Sequence, residues 1–372
     1  MVFSNYDAPD NPYYAGGGAQ AIHEVGQRLA QRHEVTVVCG AFPGAKDRKV
    51  DQVQYLYVGT RRPWPRFGQI VFWAHLPRLV RTMAYDVWIE SLTPPFSSAW
   101  LPLFTRRPVV FLTQVLAGEG MWQKYRMPVH LLERVALRTY RYGIATSRYL
   151  AERIRRWNPR CEIVVIPNGI SPRWLERARR LEHVEAGQPE ALIYVGRIDV
   201  GQKGLDVLLD AFGKLRGQLE VSLWIAGSGT AKEEAWLRRR LEEPDVRGRV
   251  QWLGRIDEEK RAELFRRGIA LILPSRFEAS PLIIPEAFAF GLPVVLSRIP
   301  ELIEYPDDAC LKVEPESASA LAEAMIRLIQ NPAYREQLAR HAKAHAPAYS
   351  WDRLARQYEE FLEKITSRFQ EE

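Results

Sequence analysis

The chain is poor in cysteine. Cys39, Cys161 and Cys310 are the only three in 372 residues. They are odd in number, far apart and never in C-x-x-C spacing. That excludes a disulfide framework and a cysteine-rich zinc site, and it fits a reducing compartment. Cys39 closes the apolar run "VTVVC", where it reads as a small buried hydrophobe. Long apolar runs are missing too: none reaches the roughly 18 residues expected of a membrane-spanning helix. The N-terminus "MVFSNYDAPDNPYY" lacks the basic stretch and following apolar stretch of a signal peptide, so a cytoplasmic protein is expected. No short-period repeat and no low-complexity tract occurs, and the basic residues form no recognised nucleic-acid reader, so no nucleic-acid partner is expected.

What is present is the composition of an ordinary soluble globular protein, 47% hydrophobic and 26% charged. At roughly 100–200 residues per domain, the length predicts two domains. Charge is unevenly spread. Residues 1–170 carry 22 Lys+Arg against 12 Asp+Glu, a net of +10, and residues 171–372 carry 30 against 33, a net of −3. A basic first half points to an anionic partner such as a membrane surface or a phosphate-bearing substrate. A solvated, arginine-rich surface is the plain alternative.

Strand and helix patterns alternate along the whole chain. Residues 33–40, 85–91, 107–114, 141–147 and 161–169 read as short buried strands, rich in Val, Ile and aromatics and bounded by turn residues. Residues 19–32 and 147–157 read as helices, the second with Ser147 as N-cap. The same grammar restarts after residue 190. Strands are expected over 191–197, 219–229, 249–255, 268–275 and 291–297, and helices over 204–216 and 233–243. Residues 350–369 read as a terminal helix. The alternation predicts an α/β fold of two Rossmann-like, doubly wound domains. The expected division is an N-terminal domain over 1–166 and a C-terminal domain over 167–348. A helix over 349–372 would pack back on the first domain. Residues 167–190 are polar, carry Pro and Gly, and read as the linker. The carboxyl ends of the sheets, opening on a cleft, are the natural ligand site.

Three stretches stand out. In "YYAGGGAQAIHE" (13–24), consecutive glycines including Gly17 and Gly18 lead into a helix, where exposed N–H groups suit an anion. The spacing is neither G-x-G-x-x-G nor a P-loop, which counts against a dehydrogenase or an NTPase. A flexible turn is the alternative. In "YVGRIDVGQKGLDVLLDAF" (194–212), Arg197 and Lys203 flank a glycine-rich strand-to-helix turn and form a diphosphate cradle. In "SRFEASPLIIPEAFAFGLPVVLS" (275–297), Glu278 falls in a turn after a strand and Glu286 in the early part of a helix. Ser280 is the expected cap, Pro281 the expected first helical residue, and Gly291 the expected stop. Both carboxylates are expected to look out over the sheet edge rather than into the interior.

Together these stretches, with "VVIPNGIS" between them, resemble glycosyltransferase family 4: retaining enzymes of the GT-B fold that take nucleoside-diphosphate sugars. The resemblance covers essentially the whole chain. It implies that Arg197 and Lys203 neutralise the donor diphosphate, that Glu286 holds the ribose hydroxyls, and that Glu278 contacts the donor sugar. It assigns backbone N–H groups at Ser280, Leu282 and Ile283 to phosphate, Gly254 and Arg255 to the base, and Gly17 and Gly18 to the loop over phosphate and acceptor. It also implies that no cofactor is needed beyond the donor, UDP- or GDP-linked. The chain holds no convincing Asp-x-Asp metal motif, so a metal-independent reaction is expected. Many relatives carry a histidine where this chain has Thr113 and Gln114. Gln114 or Glu119 is the substitute sugar contact, while His23, His75 and His130 read as helix residues. Ala279 and Pro281 depart from the usual glycine turn. The acceptor is expected to be a hydroxyl on a glycan, a lipid-linked sugar or a small molecule. "RRPWPRFGQIVFWAHLPRLVRTM" (61–83) reads as an interfacial segment giving peripheral contact with the inner face of a membrane, or as an N-domain helix with exposed arginines. A non-catalytic nucleotide-sugar-binding protein and a same-fold sugar-nucleotide epimerase are the competing functions.

Overall fold

The computed structural model describes residues 1–12, 17–62, 65–92, 98–116, 129–182 and 190–371. It divides into two compact units. Unit 1 comprises Met1–Gly169 with Trp351–Glu372, and unit 2 comprises Ile170–Ser350.

Unit 1 is built on eight strands: β1 (Val2–Asn5), β2 (Thr36–Gly40), β3 (Arg48–Val50), β4 (Val53–Val58), β5 (Trp88–Leu92), β6 (Val109–Thr113), β7 (Tyr142–Ala145) and β8 (Glu162–Val165). Their order is β3-β4-β2-β1-β5-β6-β7-β8. All pairings are parallel except the β3–β4 hairpin. Chain order reverses between β1 and β5, which makes that pair the switch point of the sheet. Ser147 caps the helix Arg148–Trp157, its side chain accepting from the Leu150 N–H at 3.2 Å, as the sequence predicts. The helix Trp351–Glu371 belongs to unit 1. Asp352 pairs with Arg28, Glu359 with His33, and Lys364 and Arg368 with Glu162.

Unit 2 carries six parallel strands: β9 (Ala191–Val195), β10 (Ser222–Ala226), β11 (Val250–Trp252), β12 (Gly268–Leu273), β13 (Val294–Ser297) and β14 (Cys310–Val313). The order β11-β10-β9-β12-β13-β14 puts the switch point between β9 and β12. Alternate residues of these strands enter two separate cores. Ile193, Leu271 and Val294 pack with Phe288 on one face, and Leu192, Ile225 and Ile272 pack with Phe212 on the other. That is the pattern of a sheet covered by helices on both sides.

One sequence reading needs correction, and one choice between alternatives is narrowed. The segment expected as linker contains the helix Pro172–Glu182. Its Trp174 is buried in the unit 2 core against Phe265 and Phe290, so the helix is part of the domain. The stretch 61–83 forms the helix Pro65–Thr82, whose Phe72, Leu76 and Val80 enter the unit 1 core. Of its apolar residues, Phe67 and Ile70 stay exposed. All three cysteines are free and buried, and burial pushes their thiols up. Among the described residues, no helix is long and apolar enough to cross a membrane.

Candidate functional site

The chemistry gathers where β9 and β12 end, at the unit 2 switch point. After β9 the chain turns through Gly196 and Arg197 into the one-turn helix Val200–Lys203. Asp199 caps it, Oδ1 accepting from the Gln202 N–H at 2.9 Å. Gly204 ends it with φ +64°, and a Cβ there would lie 2.1 Å from the Pro274 carbonyl oxygen. Only glycine meets both demands. Gly204→Ala should therefore lower stability by at least about 1–2 kcal/mol from the left-handed backbone alone. Thermal unfolding checks this, and an unchanged melting temperature would contradict it.

The loop after β12 is clamped onto this turn. The Arg276 N–H donates to the Gln202 carbonyl, its Nη1 donates to the Val200 carbonyl at 2.8 Å, and its guanidinium grips Asp206 through both carboxylate oxygens at 3.0 and 2.8 Å. The clamp sets Lys203 against Glu278. Lys203 Nζ lies 2.7 and 2.8 Å from the two oxygens of Glu278, and the Ser275 hydroxyl donates to Oε1 at 2.6 Å. Glu278 is 4% exposed. An ammonium has three protons to donate. Two point at Glu278, and the third has no partner among the described residues. Arg197 is more open, its side chain 57% exposed, with Nη2 3.0 Å from Asp199 and bonded to Gln202.

Glu286 is also buried, at 8% exposure. Its partner is Arg261 on the helix Glu258–Arg267, with Nη2 3.3 Å from Oε1 and Nε 3.2 Å from Oε2. The Nε contact is an ion-pair distance without hydrogen-bond alignment. Arg261 also stacks over Trp174, 4.7 Å from the ring centre. Burial pushes the Glu286 carboxyl up to about 7. Arg261 opposes the shift and Glu258 adds to it.

The expectation that both carboxylates face outward from the interior is corrected here. Each is buried and held by a cation from another segment. A buried carboxylate without such a partner would carry a heavy desolvation cost. The helix start is also two residues later than predicted. It runs Ile283–Ala289 with Leu282 as N-cap and no side-chain cap, and Gly291 follows at φ +67°. Ser280 does not cap, because its hydroxyl bonds with Tyr305. Glu286 consequently sits in the first turn. Leu282 and Ile283 are half-exposed at that start.

Gly254 and Arg255 follow β11. Gly254 adopts φ +65°, its carbonyl accepts the Gly227 N–H at 2.7 Å, and Arg255 is exposed. Gly227 in turn lies so close to the Gly196 carbonyl that a Cβ would approach it to 1.8 Å. This contact ties the ends of β9, β10 and β11 together.

In unit 1, Gly17 and Gly18 open the helix Gly17–Leu29 instead of preceding it. A Cβ on Gly18 would lie 3.2 Å from Gln114 Nε2, so the glycine turn and Gln114 are neighbours. Asn168 Nδ2 reaches Gln114 Oε1 at 3.4 Å. Thr113 is buried, its hydroxyl donating to the Val115 carbonyl. His23 bonds with the Tyr55 hydroxyl and His75 with the Val71 carbonyl. Glu119 lies outside the described residues. Sequence reasoning missed Asp199, Gln202, Asp206, Arg261, Ser275 and Arg276. All but Arg261 lie inside the quoted stretches 194–212 and 275–297, and that proximity was the available signal.

Two doubly wound units define the GT-B class of fold. Residues 15–174 match the family model Glycosyltransferase Family 4, and residues 189–331 match Glycosyl transferases group 1. The chain belongs to the family 4 type of GT-B glycosyltransferases. An uncharacterised glycosyltransferase of Methanocaldococcus jannaschii is 26% identical over 258 residues, 66% of this chain and 65% of the relative. A glycogen synthase of Mycobacterium tuberculosis is 32% identical over 199 residues, 52% of this chain and 46% of the relative. The matched stretches thus span about half to two thirds of these relatives. In fold, sucrose-phosphate synthase of Thermosynechococcus elongatus superposes with a TM-score of 0.81 at 21% identity, over 99% of this chain and 100% of that one. A protein of Anabaena solved in complex with UDP-glucose superposes with a TM-score of 0.73 at 16% identity, over 98% and 99%.

Proposed function

We propose that the chain transfers a sugar from a UDP- or GDP-linked donor to a hydroxyl acceptor, with retention at the anomeric carbon and without a metal ion. The observation that carries this reading is the Lys203–Glu278 pair at the β9–β12 switch point, with Arg197 in the turn after β9 and Glu286 in the first turn of the helix that follows β12. Switch points are where doubly wound sheets bind nucleotides.

Each group has a task. Cleaving the bond between the sugar C1 and the phosphate oxygen leaves negative charge on the nucleotide. Arg197 and the free proton of Lys203 stabilise that charge as it develops. Glu286 accepts the ribose hydroxyls. Glu278, fixed by Lys203 and Ser275, faces the sugar as it gains oxocarbenium character. The acceptor oxygen bonds to C1 on the face the phosphate leaves, and its proton passes to a phosphate oxygen. No protein nucleophile is invoked. Gly254 and Arg255 take the base, and backbone N–H groups at Ser280, Leu282 and Ile283 take phosphate. Gly17, Gly18 and Gln114 in unit 1 serve the acceptor. The Anabaena complex with UDP-glucose supports the donor class.

A thermal-shift screen of nucleotide sugars in EDTA tests this. A ligand at a hundred times its Kd should stabilise the protein by about 2.7 kcal/mol. The expected result is a raised melting temperature with a UDP- or GDP-sugar, followed by turnover in EDTA on an acceptor screen. No shift with any nucleotide sugar, or turnover restored only by magnesium, would overturn it.

A further inference from the structure

Unit 1 carries a second feature that the transfer reaction does not use. On the helix Val129–Leu137, Leu131, Leu132 and Val135 are 51%, 53% and 47% exposed, while Ala136 and Leu137 face the core. Three large apolar side chains within two helical turns form a contiguous outward ridge.

Arginine surrounds this ridge. From residue 129 to 157 the sequence holds seven arginines against two glutamates, Glu133 and Glu152. Glu133 is buried. The helix packs against Arg148–Trp157, and a groove of about 370 Å³ runs beside both. Leu131 lines it with Arg134, Arg153 and Arg156. None of these three arginines has a carboxylate within ion-pair distance among the described residues, although Glu152 lines the same groove. Arg153 is braced over the Trp157 ring, 5.3 Å from its centre, and its Nη1 reaches the Tyr149 hydroxyl at 3.5 Å. Unpaired guanidinium groups suit phosphate, because each presents a fork of donors that matches its oxygens. Half-buried Tyr149 and Trp157 have the amphipathic shape that favours the boundary between water and lipid.

We propose that this face docks unit 1 onto an anionic phospholipid surface. Arg134, Arg153 and Arg156 take lipid phosphates, and Leu131, Leu132 and Val135 enter the apolar boundary. The pairing of exposed apolar side chains with uncompensated positive charge favours this occupant, since a soluble phosphate has no use for the ridge. The proposal concerns unit 1 alone and does not depend on which sugar or acceptor the unit 2 site serves.

Vesicle flotation of the full chain tests it. The protein should float with vesicles containing phosphatidylglycerol and stay behind with phosphatidylcholine alone. Each basic residue near an anionic surface contributes roughly fivefold. Arg134→Gln/Arg153→Gln/Arg156→Gln should therefore weaken binding by roughly a hundredfold. Leu131→Ser/Leu132→Ser/Val135→Ser should weaken it at least about tenfold through lost apolar burial. Inorganic phosphate should not compete. Single changes at exposed Leu132 and Arg156 give smaller losses and guard against misfolding of the triple variants. Any of four results overturns the proposal: equal binding to neutral vesicles, wild-type binding by either triple variant, competition by inorganic phosphate, or no vesicle binding, with or without dimers in light scattering.

Discussion

Lys203→Ala is expected to damage both stability and donor binding. The change leaves the Glu278 carboxylate buried with Ser275 as its remaining side-chain partner. Breaking a buried ion pair from one side costs about 3–5 kcal/mol. Denaturant melts measure that loss. Donor affinity should fall at least about tenfold, because the proton aimed at the diphosphate disappears with the ammonium. Adding Glu278→Gln to Lys203→Ala removes the orphaned charge. The double variant should regain much of the stability and none of the donor affinity. This separates the two roles of Lys203. If the single variant melts and binds like wild type, the pairing is not what holds the site.

Glu286→Ala should act chiefly on the nucleotide. Hydrogen bonds to a charged group contribute about 1.5–3 kcal/mol, so losing the ribose contacts weakens binding roughly ten- to a hundredfold. Arg261 keeps its stack on Trp174. A pH signature goes with this. The Glu286 carboxyl is pushed up to about 7 by burial, against a usual value of 4.5. Its ionised form accepts both ribose hydroxyls and its protonated form accepts less. Donor affinity should rise as pH increases through about 7 and then level off. Phosphate titrates in the same region, so Glu286→Gln is the reference: its profile should lack the carboxyl component. Stability moves the other way. The unfolded chain releases this proton near 4.5 and the native state near 7, so the native state binds more protons in between. The contribution of Glu286 to stability is therefore present below about 4.5 and lost as pH rises to about 7. Identical pH profiles for wild type and Glu286→Gln would remove this carboxyl from the site.

Much of this is legible in the sequence, and what is not has physical causes. A glycine-rich turn marks the end of β9 and a turn carrying Pro274, Ser275, Ser280 and Pro281 marks the end of β12, because turn chemistry is short-range and readable locally. The pairing across them is invisible, since Lys203 and Glu278 stand 75 residues apart. The carboxylates were therefore expected to look out over the sheet edge, when the fold buries each against a half-buried cation. Arg261 sits on a helix whose local pattern is an ordinary charged surface, and only the tertiary fold brings it to Glu286. The β3–β4 hairpin escaped notice because its turn residues, Asp51 and Gln52, both take positive φ without a glycine. The usual signal for such a turn is Asn-Gly or Asp-Gly. The helix Pro172–Glu182 was hidden by its polar composition. Trp174, Leu175, Ala178 and Leu181 nevertheless recur at helical spacing and pack on the unit 2 core.

Calorimetric titration of UDP and GDP into wild-type, Lys203→Ala and Glu286→Ala protein tests the central claim most directly, that the β9–β12 switch point holds a nucleoside diphosphate. Saturable wild-type binding to one of the two nucleotides is expected, weakened at least about tenfold in each variant. Wild-type affinity in both variants would contradict it.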